Sequence, residues 1–321
     1  MTSPSLTAEE RRRYDELGYV IPAYRLSTAR LDELRGAVDR AIANNPTVRP
    51  EQLASIHTQP ANDSDTIGDD VFLTMALDAE LVALVSGVLG PDIAMWGVQV
   101  FCKPGGGGME VPMHQDGQYW PIRPLATCTV WIALDDVDKG NGCMSVVPGS
   151  HRPPVAYAHK TETAADLVLN QSIEDPRVPV REPHFLELEA GQMSLHDVYL
   201  VHGSAPNRSG RRRAGLAIRY MPTTSRFRRD IDIPFAGYPV DWAGKPIWLV
   251  RGRDVSGNND SPDRALGQAA VWTRPLTPGG SGAPPSIQTA SGVANGDLVT
   301  RESVHGDCIS SLDSLTLYYN V

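Results

Sequence analysis

Two histidines and one aspartate in this sequence have the residue types and spacing of a metal site. His114 and Asp116 are separated by one residue, and His202 follows a distant apolar segment. Because side chains alternate along a β-strand, positions i and i+2 point the same way, so His114 and Asp116 are expected to face one ion. Two histidines and one carboxylate on one face of an octahedron bind Fe(II) in non-haem oxygenases, which leave the other positions open.

The His-x-acid pattern is not specific by itself. It occurs twice, at His114–Asp116 and at His305–Asp307. The second copy lies in a C-terminal region with weak structural signals and has no later histidine, so we expect no metal there. His196 shares strand parity with His202, and a role in the core or behind the ligands is favoured for it over direct ligation.

A carboxylate-binding group is predicted beside His202. An apolar run over 193–201 leads into His202 and Ser204, and a turn-rich stretch near Arg208 separates it from a second apolar run that follows Arg213. This pattern predicts a β-hairpin with Arg213 across from Ser204. An arginine can bind a carboxylate through two parallel hydrogen bonds, and the serine can donate one more.

The elements that must position these residues change in type along the chain. The first part predicts helices over 7–17, from Ser27 onward and over 78–89, and Gly18 is expected to end the first of them. From about residue 92, short apolar runs between turns predict strands, namely 93–102, 127–134, 143–147, 184–188, 193–201 and 214–220. We therefore predict a mainly β fold with flanking helices and a jelly-roll core.

The predicted domain covers residues 1–263, with N-terminal helices over 7–45 and a jelly-roll core over about 92–250. Residues 264–321 carry a Gly/Pro/Ser-rich stretch, 277–286, and are predicted to be a flexible C-terminal tail.

Composition excludes several classes of function. The formal net charge of −9 is unfavourable for binding to a nucleic-acid backbone. No stretch approaches the roughly 18 apolar residues of a membrane span, and the first residues lack a signal-peptide core. The four cysteines form no C-x-x-C pair. We therefore expect a reduced, cytoplasmic protein without nucleic-acid or membrane partners, and its oligomeric state stays open.

Taken together, the motifs resemble the phytanoyl-CoA dioxygenase family over roughly residues 10–255. The resemblance is carried by His114-Gln-Asp116, Arg123-Pro124, Trp131, Asn141-Gly-Cys-Met, Pro148-Gly-Ser-His151, His202-Gly-Ser204, Arg213 and Arg219-Tyr220. It implies a double-stranded β-helix (jelly roll) that uses Fe(II), 2-oxoglutarate as co-substrate, and O2.

The resemblance also implies a role for particular residues. His114, Asp116 and His202 match the iron ligands, and Arg213 and Ser204 match the residues that bind the distal carboxylate of 2-oxoglutarate. The remaining matches are to co-substrate contacts, namely Lys103, Trp131 and Gln99. Related halogenases replace the metal aspartate with a small residue, so the intact Asp116 favours hydroxylation or another oxidation.

The expected function is oxidation, most simply hydroxylation, of an unactivated C–H bond in a small organic molecule of natural-product biosynthesis, with release of succinate and CO2. Desaturation, epoxidation and ring rearrangement share the same iron site. Two other classes stay open, a cupin-type metalloenzyme that does not use 2-oxoglutarate and a non-catalytic jelly-roll binding protein. The predicted Arg213–Ser204 pair argues against the first and the intact triad against the second.

Overall fold

The computed structural model describes residues 4–58, 66–231, 242, 244–259 and 270–272. Within them the chain forms four α-helices, Ala8–Leu17 (α1), Thr28–Asn44 (α2), Asp70–Ala76 (α3) and Ala79–Leu89 (α4). None of these helices alone is long and apolar enough to cross a membrane, although α3 and α4, bent by 47°, pass that test as a broken pair.

The strands in the described residues begin at Tyr19. They are Tyr19–Val20 (β1), Leu53–Ala54 (β2), Ile93–Lys103 (β3), Val111–His114 (β4), Ile122–Arg123 (β5), Cys128–Ala133 (β6), Met144–Val146 (β7), His159–Thr161 (β8), Gln171–Ile173 (β9), His184–Leu186 (β10), Met193–Asp197 (β11), His202–Ser204 (β12), Arg213–Pro222 (β13), Arg226–Phe227 (β14), Ile247–Arg251 (β15) and Ala270–Trp272 (β16).

Two antiparallel sheets build the jelly roll. The major sheet has the strand order β1-β11-β6-β13-β3-β15-β16, with β2 also paired to β3, and the minor sheet has the order β10-β7-β12-β4. Side chains from both sheets line one cavity between them. The predicted mainly β, jelly-roll fold with flanking helices is confirmed.

Helices α1, α2 and α4 begin where the sequence predicts. Thr7 Oγ1 accepts from the amide of Glu10, and the Glu10 carboxylate accepts from the amide of Thr7, so two backbone donors at the start of α1 are satisfied. Gly18 ends α1 with φ of 82°. A Cβ at Gly18 would lie 2.6 Å from His151 Nδ1, so glycine is required there for space as well as for conformation.

The main core lies between the helices and the outer face of the major sheet. Leu34 and Val38 of α2 and Leu84 of α4 are buried there together with alternate residues of the sheet, including Val100, Ile132, Leu216 and Ile218. Because alternate residues of a strand face opposite ways, the intervening residues of β3, β6 and β13 face the cavity. The outer face of the major sheet is thus apolar and packs against the helices, and its inner face can carry the polar groups of the cavity.

Three sequence predictions need correction. The hairpin predicted around Arg208 does not form, because β12 pairs with β4 and β7 in the minor sheet whereas β13 pairs with β3 and β6 in the major sheet. The strand predicted over 193–201 ends at Asp197, whose partner Cys128 begins β6. The strand expected to carry both His114 and Asp116 ends at His114, because Asp116 begins a 3₁₀ turn, and helix α3 was not predicted.

The predicted boundary at residue 263 stays a prediction. Of the expected tail, 264–321, the structure describes only β16, which pairs with β15. The stretch 277–286 and the pair His305–Asp307 lie outside the described residues.

The inner face of β13 has little space beside Trp131, which leads to a first prediction. A Cβ built on Gly215 would lie 2.0 Å from the Trp131 ring, whereas one on Gly107, in an exposed loop, meets nothing within 4 Å. Gly215→Ala should lower the free energy of unfolding by about 1–3 kcal/mol, and Gly107→Ala should leave it nearly unchanged. Urea unfolding of both variants checks this, and equal stability would mean that the indole moves aside without cost.

Candidate metal centre and active site

Three buried side chains meet at the edge where β4 and β12 pair. His114 is the last residue of β4 and lies directly across from His202, the first residue of β12. Asp116 lies one residue beyond Gln115, at the start of the 3₁₀ turn Asp116–Tyr119 rather than on the strand itself. One ligand atom from each of the three lies within 4.8 Å of the others, so the group can hold a metal ion.

Backbone carbonyls fix the orientation of both histidine rings. His114 Nδ1 lies 2.8 Å from the carbonyl oxygen of Pro112, and His202 Nδ1 lies 2.9 Å from that of Leu200. A carbonyl oxygen only accepts, so each Nδ1 carries a hydrogen and each Nε2 is the ring nitrogen turned toward the other two side chains. Burial lowers the pKa of His202 to about 3, so its imidazole is neutral near pH 7 and able to ligate a metal.

The two carboxylate oxygens of Asp116 face different groups. Oδ1 lies 3.5 Å from His114 Nε2 and 3.9 Å from His202 Nε2. Oδ2 accepts a hydrogen bond of 3.3 Å from Thr129 Oγ1 and lies 3.7 Å from His196 Nε2. Oδ1 therefore faces the two histidines of the triad, and Oδ2 faces Thr129 and His196 on the opposite side.

Asp116 is charged despite its burial. Burial alone would raise its pKa, but the neighbouring His114 and His196 hold the pKa well below its ordinary value. Two imidazoles and one carboxylate suit a divalent transition metal such as Fe(II). Within the described residues no other group of three such side chains comes together.

Gln115, the residue between the first two ligands, is buried and fully engaged. Its side-chain amide donates to the carbonyl oxygens of Val155 and Tyr199, at 3.1 and 2.7 Å, and accepts from the amide of Tyr157 at 2.7 Å. Its backbone amide donates to His159 Nε2 at 3.0 Å. These bonds tie the metal-ligand segment to two other parts of the chain.

A second group of polar residues lies at one end of the same cavity. Lys103 and Arg213 are cross-strand neighbours on β3 and β13, and Lys103 Nζ donates to Ser204 Oγ at 2.7 Å. Arg213 donates to the carbonyl oxygen of Gly142 through Nε and one terminal nitrogen, at 3.0 and 2.5 Å. Ser204 and Arg213 are thus near one another as predicted, but from opposing sheets.

The two basic side chains in this group, Lys103 and Arg213, have no carboxylate partner among the described residues. Burial, and then the charge of Arg213, lowers the pKa of Lys103 to about 6, while burial lowers the pKa of Arg213 to about 10. A buried guanidinium without a counter-ion is costly, because desolvation is not offset by a pairing charge. The end of the cavity is therefore electrostatically suited to an anion.

Trp131 and Gln99 lie further along the inner face of the major sheet. The guanidinium of Arg213 lies over the Trp131 ring, 5.1 Å from its centroid. Gln99 lines the cavity too, but its Oε1 accepts from a terminal nitrogen of Arg219 at 3.1 Å. Gln99 therefore faces the far end of the cavity rather than the Arg213 end.

Thr129 and Arg219 line the site but were not predicted from the sequence to belong to it. Thr129 lies two residues before Trp131 on β6, and Arg219 lies six residues after Arg213 on β13. Strand parity alone places both on the cavity face. The cavity has a volume of about 330 Å³, within the range of small-molecule sites.

His196 contacts Asp116 without making a hydrogen bond to any described residue. Because groups behind a ligand orient it and tune its basicity, His196→Leu should weaken divalent-metal binding about tenfold. Titration with Co(II), followed by its visible absorption, measures this. His184→Leu, an exposed histidine of β10, is the matched control, and an unchanged affinity in folded His196→Leu would show that His196 only fills space.

The sequence matches a known family over most of the described domain. A family model described as Phytanoyl-CoA dioxygenase (PhyH) matches residues 14–215. The peroxisomal phytanoyl-CoA dioxygenase of Bos taurus is 23% identical over 283 residues, which cover 78% of this chain and 83% of the relative.

Solved structures agree with the fold. Apo ThoJ, a non-haem monooxygenase, has a TM-score of 0.59 and 23% identity, covering 77% of this chain and 85% of its own. SnoK, a non-haem α-ketoglutarate-dependent carbocyclase from nogalamycin biosynthesis, has a TM-score of 0.55 and 25% identity, covering 70% and 87%. With a metal-binding triad between its sheets, the chain belongs to the phytanoyl-CoA dioxygenase family and is an iron- and 2-oxoglutarate-dependent dioxygenase.

Proposed function

We propose that this enzyme hydroxylates an unactivated C–H bond of a small organic molecule in natural-product biosynthesis. The observation that carries the proposal is the juxtaposition of a buried His-Asp-His triad with a buried arginine and lysine that lack a carboxylate partner among the described residues. Iron and 2-oxoglutarate, when bound, supply the oxidising chemistry and release succinate and CO2.

The triad supports three-point binding of the metal. His114 and His202 would bind the metal through Nε2, with each ring held in place from Nδ1, and Asp116 would bind through Oδ1. The ligand positions not occupied by protein would face the cavity between the sheets. Such a facial arrangement leaves space for co-substrate and O2 on the metal.

The other polar group supports binding of a dicarboxylate. Arg213 would bind the distal carboxylate of 2-oxoglutarate, with Ser204 as a further donor and Lys103 as a second cation. Trp131 would pack along one side of the bound co-substrate, beneath the guanidinium. A cupin-type metalloenzyme that does not use 2-oxoglutarate has no need of two buried basic side chains here, so their presence favours 2-oxoglutarate.

Hydroxylation is favoured over halogenation by the intact Asp116 side chain. Its carboxylate occupies the position that must be empty for a halide ligand, and it is held by Thr129 from behind. The likeness to SnoK, a carbocyclase from nogalamycin biosynthesis, favours natural products as the substrate class.

The test is an anaerobic visible spectrum of the purified protein during addition of Fe(II) and then 2-oxoglutarate. A charge-transfer band that requires both additions is expected, because chelation of the metal by the 2-oxo acid brings a carbonyl acceptor onto Fe(II). Asp116→Ala should lose the band. Fe(II) binding without any band in the wild-type protein would exclude 2-oxoglutarate chelation and overturn the proposal.

Arg213→Ala should weaken 2-oxoglutarate binding about 10–100-fold, because a hydrogen-bonded charge pair contributes roughly 1.5–3 kcal/mol. The 2-oxoglutarate dependence of the charge-transfer band measures this, with the Fe(II) dependence expected to stay near wild type. Arg211→Ala is the matched control, since Arg211 is exposed and pairs with Asp138. Equal 2-oxoglutarate affinity in Arg213→Ala would remove Arg213 from the site.

Binding of 2-oxoglutarate should also take up protons near neutral pH. With a pKa of about 6, Lys103 is mostly neutral at pH 7–8 in the free protein, and pairing with a carboxylate would raise its pKa and protonate it. Uptake should approach one proton at pH 7–8 and decline as the pH falls below 6, where Lys103 is already charged. Calorimetry in phosphate and Tris buffers measures it.

Lys103→Arg separates Lys103 from other sources of protons. The guanidinium stays charged throughout this range, so proton uptake should disappear in the variant. Undiminished uptake in a folded Lys103→Arg protein would assign the proton to another group.

A further inference from the structure

The inner face of β13 carries a positive charge at each end. Arg213, Gly215, Ala217 and Arg219 occupy alternate positions, so all four face the cavity side of the major sheet. The two arginines are six residues apart, which is about 20 Å along a strand. Between them, Gly215 is covered by the Trp131 ring and Ala217 has only a methyl group, so no other charged side chain separates the two arginines on this face. If Arg213 serves the co-substrate, Arg219 has no role in binding it.

Arg219 lies close to the metal end of the cavity. Its cross-strand neighbours are Gly97 on β3 and Thr129 on β6, the threonine that donates to Asp116. Gly97 has no side chain to cover it, and a Cβ there would lie 3.8 Å from Arg219 Cδ. Arg219 lines the same cavity as the three metal-ligand side chains, so it borders the space beside the triad.

The charge of Arg219 is held in place by aromatic rings and an amide, and it acts on the Asp116 carboxylate only at a longer range than an ion pair. Its guanidinium lies 5.4 Å from the ring centroid of Trp120 and 5.9 Å from that of Trp96, and a terminal nitrogen donates to Gln99 Oε1. In the described part of the chain, Arg219 forms no ion pair with a carboxylate, and its buried Nε has no hydrogen-bond partner. Aromatic faces hold a guanidinium without satisfying its donors.

Gln99 completes a pair of convergent donors. Because its Oε1 accepts from Arg219, the NH2 group of the same amide points away from Arg219 and is available to a ligand. The surrounding wall is aromatic, with Trp96, Trp120 and Trp242 lining the cavity. An apolar pocket with a few convergent polar groups is the usual form of a small-molecule site.

We propose that Arg219 and Gln99 bind the carboxylate of an organic-acid substrate whose apolar body lies among the three tryptophans. This inference rests on the proposed function for the chemistry that follows binding. Arg219 then sets specificity: the carboxylate anchors the substrate, and the carbon to be oxidised faces the triad. One guanidinium and one amide match a monocarboxylate, which carries a single charge and can accept from both donors.

The test compares carboxylic acids with their amides of the same shape. The probes are benzoate, phenylacetate, 4-phenylbutyrate and decanoate, each paired with its primary amide. Calorimetry measures their dissociation constants for the full chain with Fe(II) and saturating 2-oxoglutarate under anaerobic conditions, where Arg213 is occupied. At least one acid should bind about tenfold or more tightly than its amide.

Variants then locate the preference. In Arg219→Gln, the acid and amide should bind within about twofold of one another, and Arg219→Lys should keep part of the preference because the charge remains. Gln99→Leu should reduce the preference without abolishing it. Arg226→Gln, which removes an exposed arginine of β14, should leave it unchanged. Thermal unfolding establishes that each variant is folded.

Two results would overturn the proposal. One is the absence of an acid preference for every probe in the wild-type protein, a measurement that needs no variant. The other is a preference that survives Arg219→Gln but is lost in Arg213→Gln, because the acids would then occupy the co-substrate position. Both results differ from failure of the proposed function, which would appear as a missing charge-transfer band. In that case the binding of acids and amides to the wild-type and Arg219→Gln proteins can still be compared without metal.

Discussion

The buried carboxylate of Asp116 is the constraint on which the arrangement of this site depends. A carboxylate removed from water is stable only when charges and donors around it replace the lost hydration. His114, His196 and Thr129 meet that need from β4, β11 and β6, and a bound divalent metal would stabilise the negative charge more strongly than any of them. Three strands and a turn must therefore keep their mutual register to within a fraction of an ångström, and the outer core of the major sheet keeps β6, β11 and β13 in place.

The two sheets contribute different chemistry to one cavity. The minor sheet carries His114 and His202, whereas the major sheet carries the basic side chains Lys103, Arg213 and Arg219. The connection 205–212 passes from one sheet to the other and is held by Asn207, whose side-chain amide donates to the carbonyl oxygens of Pro104 and Arg211. Because Ser204 and Arg213 end up on facing sheets, they can approach a ligand from two sides, which a single hairpin would not permit.

Sequence patterns predicted local features well and pairing partners poorly. The caps at Thr7 and Gly18 were predictable because both act within a few residues. The triad was predictable from the whole set of family motifs and not from strand parity, since Asp116 lies in a 3₁₀ turn beyond the end of β4. The hairpin prediction around Arg208 was wrong because two consecutive strands have the same apolar pattern whether they pair with each other or with distant strands. The strand over 193–201 was too long because Val198, Leu200 and Val201 are buried without belonging to the ladder, so apolar content indicated burial and not pairing.

Gln115 gives the site a property that its motif does not express. The His-x-Asp pattern treats the middle residue as free, yet here its amide and backbone hold Val155, Tyr157, His159 and Tyr199. The segment 155–159 and the residue at position 115 therefore depend on one another and are expected to vary together among relatives. Exchanging that segment between relatives to change substrate range would also move the residue between two metal ligands, so recombination is expected to preserve activity only when position 115 is exchanged with it.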